Sequence, residues 1–79
     1  MIHELKTISP FFEHVYVWNK TFEIRKDDRN YQVGDTLILR HWDERKKCFT
    51  VEKHIMVEVK YILRDTRFLP EGFCCMSIQ

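Results

Sequence analysis

Glycine and proline are scarce in this sequence, with two of each among 79 residues. Flexible linkers, collagen-like repeats and Gly-rich phosphate loops are excluded, and each of the four residues is read as a specific turn. Long apolar runs are missing too, and nothing approaches the roughly 20 residues of a membrane-spanning helix. The opening Met1-Ile2-His3-Glu4-Leu5-Lys6 lacks the charged start and apolar run of a secretory signal. Cysteines number three, and Cys74 and Cys75 are adjacent. A disulfide framework is therefore not expected, and a reducing, cytoplasmic setting is. Nor is there an excess of either charge: 13 basic and 12 acidic residues leave a net +1. Bulk attraction to nucleic acid or to an anionic membrane is excluded, so any such binding must come from local clustering.

What the chain does have is bulk. Apolar residues make up 44% and aromatics 14%, enough large side chains to fill the interior of one small domain. Residues 1–79 are read as that single domain, which at this size buries roughly 60% of its unfolded surface. Residues 2–6 make a short strand. Ser9-Pro10 starts a helix, with the hydroxyl as N-cap and proline at the first helical position. Phe11, Val15 and Trp18, with Phe12 beside them, give it one apolar stripe over about two to three turns. Asn19 ends it in the left-handed conformation.

From residue 20 the period becomes two. Lys20–Arg25 reads as a strand, 26–32 as a polar loop, and Val33-Gly34-Asp35 as a turn into a strand over Thr36–Trp42. Asp43–Lys47 is a charged hairpin tip. The chain returns through Cys48–Val51, with a bend near Glu52-Lys53. Ile55, Val57, Val59, Tyr61 and Leu63 then alternate with polar or outward residues, the clearest strand present. A loop over 64–72 leads to a last strand ending at Ile78. One helix and five to six strands, with no second helix for a crossover, predict a mostly β (α+β) domain: a small, largely antiparallel barrel.

In the strand over 21–25, Phe22 and Ile24 take one face, assigned to the core, and Thr21, Glu23 and Arg25 the other. Lys20 stands at the start of the polar row. Such a row is either a solvated ion pair or the wall of an anion-binding cleft, with Lys20 and Arg25 on phosphate and Glu23 orienting them or reading a base. Lys26 and Arg29 extend the track, while Asp27 and Asp28 oppose it unless they turn away. Tyr31, Trp42, Phe49 and Phe68 lie near loops or strand ends, where exposed rings stack unpaired bases. His3, His14, His41 and His54 show no metal-ligand spacing with one another or with the cysteines, so no metal or other cofactor is expected. No nucleophile elbow occurs.

The stretch "NKTFEIRKDDRNYQVGDTL" resembles the signature of ASCH domains, PUA-like β-barrels whose pattern is glycine-x-lysine-x-x-glutamate-x-arginine, a variable loop, then Val-Gly-Asp. Lys20, Glu23 and Arg25 match it, as do Val33, Gly34 and Asp35. "HELKTISPFF" and "LPEGFCCMSI" are similar to the small bacterial and phage members. Trp18 stands at the motif's glycine. The resemblance implies a PUA-like barrel of five to six strands with one N-terminal helix, a cleft between helix and strands, and RNA binding. Some ASCH-like proteins are amidohydrolases of acylated cytidine that use a lysine, a threonine three residues later and a late glutamate. Here Lys20 takes the lysine position, Glu23 replaces the threonine, and Glu71 is the one late carboxylate.

The resulting expectation is a non-catalytic RNA- or nucleotide-binding module with Lys20, Glu23, Arg25, Lys26 and Arg29 at its site. A small amidohydrolase and a protein-interaction module built on Trp42 or Phe49 are the alternatives. Nothing in the sequence indicates a homo-oligomer.

Overall fold

The computed structural model describes residues 1–79. Strand β1 (Ile2–Ile8) leads into helix α1 (Phe11–Tyr16), followed by β2 (Phe22–Lys26), β3 (Thr36–Asp43), β4 (Cys48–Leu63) and β5 (Phe73–Ile78). The five strands form one sheet in the order β1-β3-β4-β5-β2. The pair β1–β3 is parallel, and the other three are antiparallel. The fold is thus mostly β with five strands and one short helix. The sheet curls like a barrel, but β1 and β2, at its two ends, are not paired to each other by a backbone ladder.

Side-chain register explains the core. Val57 and Val59 on β4, Leu37 and Leu39 on β3, and Cys74, Met76 and Ile78 on β5 all point inward, joined by Leu5 and Val15. Glu23 stands opposite Met76 and Arg25 opposite Cys74. Directly opposed residues share a face, so the buried β5 side chains turn Glu23 and Arg25 inward as well. Phe22 and Ile24 are consequently 43% and 52% exposed, while Glu23 is 2% exposed. The expected assignment of Phe22 and Ile24 to the core is overturned: the parity of β5, not the apolarity of β2, sets which side faces in.

Other expectations are corrected in the same way. The helix has six residues, less than the stripe implied, and buries Phe12 and Val15; Phe11 and Trp18 are about half exposed. Pro10, after a cis Ser9–Pro10 bond, occupies the N-cap, and the Ser9 hydroxyl donates to the Glu13 carboxylate instead of capping the backbone. The left-handed residue after the helix is Trp18, at φ 60°, not Asn19. In β4 the alternation holds for Ile55, Val57 and Val59, but a register shift between Val59 and Tyr61 leaves Tyr61 exposed and turns Ile62 onto the core. The bend near Glu52-Lys53 is present as a second shift, where residues 50–53 stand against His41 alone.

The Val33-Gly34-Asp35 turn ties the loop to the barrel. Gly34 has φ +96°, a conformation that suits a residue without a Cβ. Asp35 is buried, and its carboxylate accepts hydrogen bonds from the Met1 ammonium at 3.0 Å and the Gln32 backbone N–H at 3.0 Å; it also bonds the His3 ring at 2.8 Å. These partners, His3 first, hold the carboxyl at about 2 against an ordinary 3.8. A carboxyl depressed by folding stabilises the fold fully above its unfolded value and loses that contribution as protons bind the native state. Asp35→Ala is expected to cost roughly 3 kcal/mol at neutral pH by leaving buried partners unpaired. In acid titrations followed by circular dichroism, the gap between wild type and Asp35→Ala should narrow as pH falls from 4 to 2.

Candidate nucleotide cleft

Two strand edges without a backbone partner face each other between β1 and β2, and a hollow of about 440 Å³ opens there. Its walls are consecutive residues: Lys6, Thr7 and Ile8 from β1, and Phe22 to Arg25 from β2, with Phe11 from the helix and Lys20 at the rim. Consecutive residues alternate between the faces of a strand, so a wall that includes all of them is a strand edge. Such an edge offers both backbone hydrogen-bonding groups and side chains from either face.

At the larger hollow the gap is bridged by Arg25. Arg25 donates from Nη1 to the Lys6 carbonyl at 2.8 Å and from Nη2 to the Thr7 hydroxyl at 2.9 Å. On its own strand, Nε and Nη2 donate to one Glu23 oxygen at 3.0 and 2.7 Å. Four of the five guanidinium N–H groups are thereby used. The other Glu23 oxygen accepts from the Lys20 ammonium, which also donates to the Phe22 carbonyl at 2.6 Å. A nearly buried carboxylate is thus held between two cations that are themselves partly exposed, with side-chain exposures of 17% for Lys20 and 21% for Arg25. That arrangement satisfies the buried charge and leaves a net positive rim over a mainly apolar floor.

Beyond Arg25 the same seam continues into a smaller hollow of about 260 Å³, which shares Lys6 and Arg25 with the first and adds Lys26, Asp28, Arg29 and Tyr31. Arg29 donates to the Glu4 carbonyl at 3.1 Å, a second side-chain tie across the seam. Lys26 is exposed and makes no hydrogen bond or ion pair with another side chain. The two loop acids differ in fate. Asp27 pairs with Arg64, whose pKa is raised by that partner, whereas Asp28 stays exposed at the smaller hollow.

All five residues singled out in the sequence lie along this seam. Lys20, Glu23 and Arg25 converge at the larger hollow; Lys26 and Arg29, with Arg25 again, are at the smaller. Of the aromatics, Tyr31 is 1% exposed. Trp42 and Phe49 pack edge to face at 4.9 Å with Lys6 and Arg40 lying over them, and Phe68 is 71% exposed and lines neither hollow. Sequence reasoning missed Phe11, Phe22 and Ile24 as cleft walls, having assigned the last two to the core. The signal available was the charge pattern of Lys20, Glu23 and Arg25, whose opposite signs at i, i+3 and i+5 neutralise one another and so permit an inward face.

Truncation should reveal the ionic clamp. Glu23→Ala leaves two cations beside a buried site and is expected to cost roughly 3 kcal/mol. Lys20→Ala, at the more exposed end, should cost less than Glu23→Ala; urea titrations of the two variants check this order.

Comparison with known proteins gives a family and stops short of an activity. The family described as "Domain of unknown function (DUF3850)" matches residues 2–78. A relative from Escherichia phage P2, "Uncharacterized 12.9 kDa protein in GpA 3'region", is 51% identical over 41 residues. That segment is 52% of this chain, and the chain spans 38% of the relative's length. No helix is long and apolar enough to cross a membrane.

Proposed function

The chain belongs to the family of domains described as DUF3850, and from that premise we propose that it is a non-catalytic module binding RNA or a nucleotide in the β1–β2 cleft. The observation that carries the reading is the convergence of Lys20, Glu23 and Arg25 on one concave opening whose apolar walls include Phe11, Phe22 and Ile24. An apolar slot with an aromatic wall suits the face of a base, and a strand edge suits its hydrogen-bonding rim. The net positive rim suits phosphate.

The barrel is read here as PUA-like and of the ASCH type. In support, the motif's lysine and arginine both bind its glutamate, and Gly34 of the Val-Gly-Asp turn is left-handed. Trp18, at the motif's glycine position, adopts the backbone conformation that favours glycine, and its side chain is not among the cleft walls. A non-catalytic role is favoured over amide hydrolysis by the state of Glu23. Three hydrogen bonds fill most of its roughly four acceptor sites, leaving little capacity for activating water. Glu71 is exposed in the loop before β5 and does not line the cleft. A reducing, cytoplasmic setting suits its three free thiols, of which Cys74 has its pKa raised by burial.

Titrating short single-stranded RNA and free nucleosides at two salt concentrations tests the assignment. Phe22→Ala is expected to weaken binding roughly tenfold by removing an aromatic wall. Lys20→Ala should reduce the salt dependence by about one phosphate contact. Unchanged binding in both variants would place the ligand elsewhere.

A further inference from the structure

Charge along the seam is unevenly compensated. At the larger hollow, Glu23 neutralises much of the field of Lys20 and Arg25. At the smaller one, Lys6, Arg25, Lys26 and Arg29 face a single carboxylate, Asp28. Arg25 there is spent on Glu23 and β1, and the Lys6 ammonium lies 3.8 Å over the Trp42 ring. Lys26 has no partner, and Arg29 uses one N–H on the Glu4 carbonyl, which leaves four of its five donors free. A chain of net charge +1 gains nothing in stability from crowding cations into one hollow, since like charges repel.

A second observation points the same way. Tyr31 is 1% exposed, yet its hydroxyl forms no hydrogen bond within the protein. Every fully buried side-chain nitrogen or oxygen has a partner, so this hydroxyl must reach the accessible surface. Tyr31 lines the smaller hollow. Burial raises its pKa, Arg29 and Arg25 pull it back and Asp28 pushes it up, so the phenol feels the charged groups that line the hollow. A buried donor with no internal acceptor, lining the same hollow as Arg29 with its free N–H groups and Lys26 with its free ammonium, gives the kind of donor set an oxyanion requires.

We propose that the smaller hollow is a phosphate subsite, in which Arg29, Lys26 and the Tyr31 hydroxyl hold the phosphate of a nucleotide whose base lies across Arg25 in the larger hollow. This assignment rests on the cleft reading above but changes its division of labour. Arg25, occupied by Glu23, shapes the base pocket; Lys20, with one donor left, stays at the rim for a neighbouring phosphate of a longer chain, and the nucleotide's own phosphate goes to the groups left without partners. The two hollows share Arg25 and Lys6 as a common wall, so one nucleotide can straddle it.

Calorimetric titration of the whole chain with a nucleoside, its 5′-monophosphate and a dinucleoside monophosphate tests the assignment. The phosphorylated ligands should bind roughly tenfold more tightly than the nucleoside. Tyr31→Phe and Arg29→Gln should each erase most of that advantage while leaving nucleoside affinity unchanged. The Tyr31 hydroxyl has no partner to lose, so Tyr31→Phe should melt at the wild-type temperature, separating a binding defect from a folding one. A stronger gain from the monoester assigns a free nucleotide or a 5′ end, and a stronger gain from the diester an internal stretch of chain; either supports the subsite. If nucleoside and nucleotide bind equally, or if both variants keep the full phosphate advantage, the subsite is wrong although the base pocket stands. If no ligand binds, the subsite and the cleft reading fall together.

Discussion

Arg25 makes hydrogen bonds on both sides of a gap that the backbone does not close. It reaches the Lys6 carbonyl and the Thr7 hydroxyl on β1 while resting on Glu23 beside it on β2. A planar fork with five donors can serve three acceptors in different directions, which a lysine ammonium on a flexible stem cannot do with the same geometry. A charged bridge near the interior must itself be neutralised, and that is the task of Glu23, with Lys20 completing the set from the rim. Without this arrangement β1 and β2 would be either sealed by a ladder, with no cleft, or splayed, with two free edges open to aggregation.

The interior reflects the same division. Strands β3, β4 and β5 contribute aliphatic and sulfur side chains to the core, whereas the inward positions on β1 include His3 and Thr7, and on β2 Glu23. The dry half of the barrel holds the fold together by burial of apolar area. The half beside the seam is polar and is held by directed hydrogen bonds. Asp35 serves the polar half as Glu23 does, by gathering donors from the N-terminal residue, from His3 and from the turn. Local charge therefore matters more here than the near-zero total. Cations paired within the cleft define its shape, and Lys26 and Arg29 leave uncompensated positive charge along the same gap.

Much of this was legible in the chain. The alternation of Ile55, Val57 and Val59, the turn at Val33-Gly34-Asp35 and the helix after Ser9 are local patterns, and they mark elements the structure contains. Lys20, Glu23, Arg25, Lys26 and Arg29 could be picked out because charge of both signs is packed into a short span. By itself, then, the sequence determined the element types, their order and the presence of a charged strand. The face that strand turns inward was decided by tertiary structure. Alternation has period two and is satisfied equally by either side; the choice is made only when β2 pairs with β5, whose Cys74 and Met76 are already committed to the core. The open seam is also a property of the assembled sheet, because its two edges lie 14 residues apart in the chain at their nearest and meet only when five strands curl together.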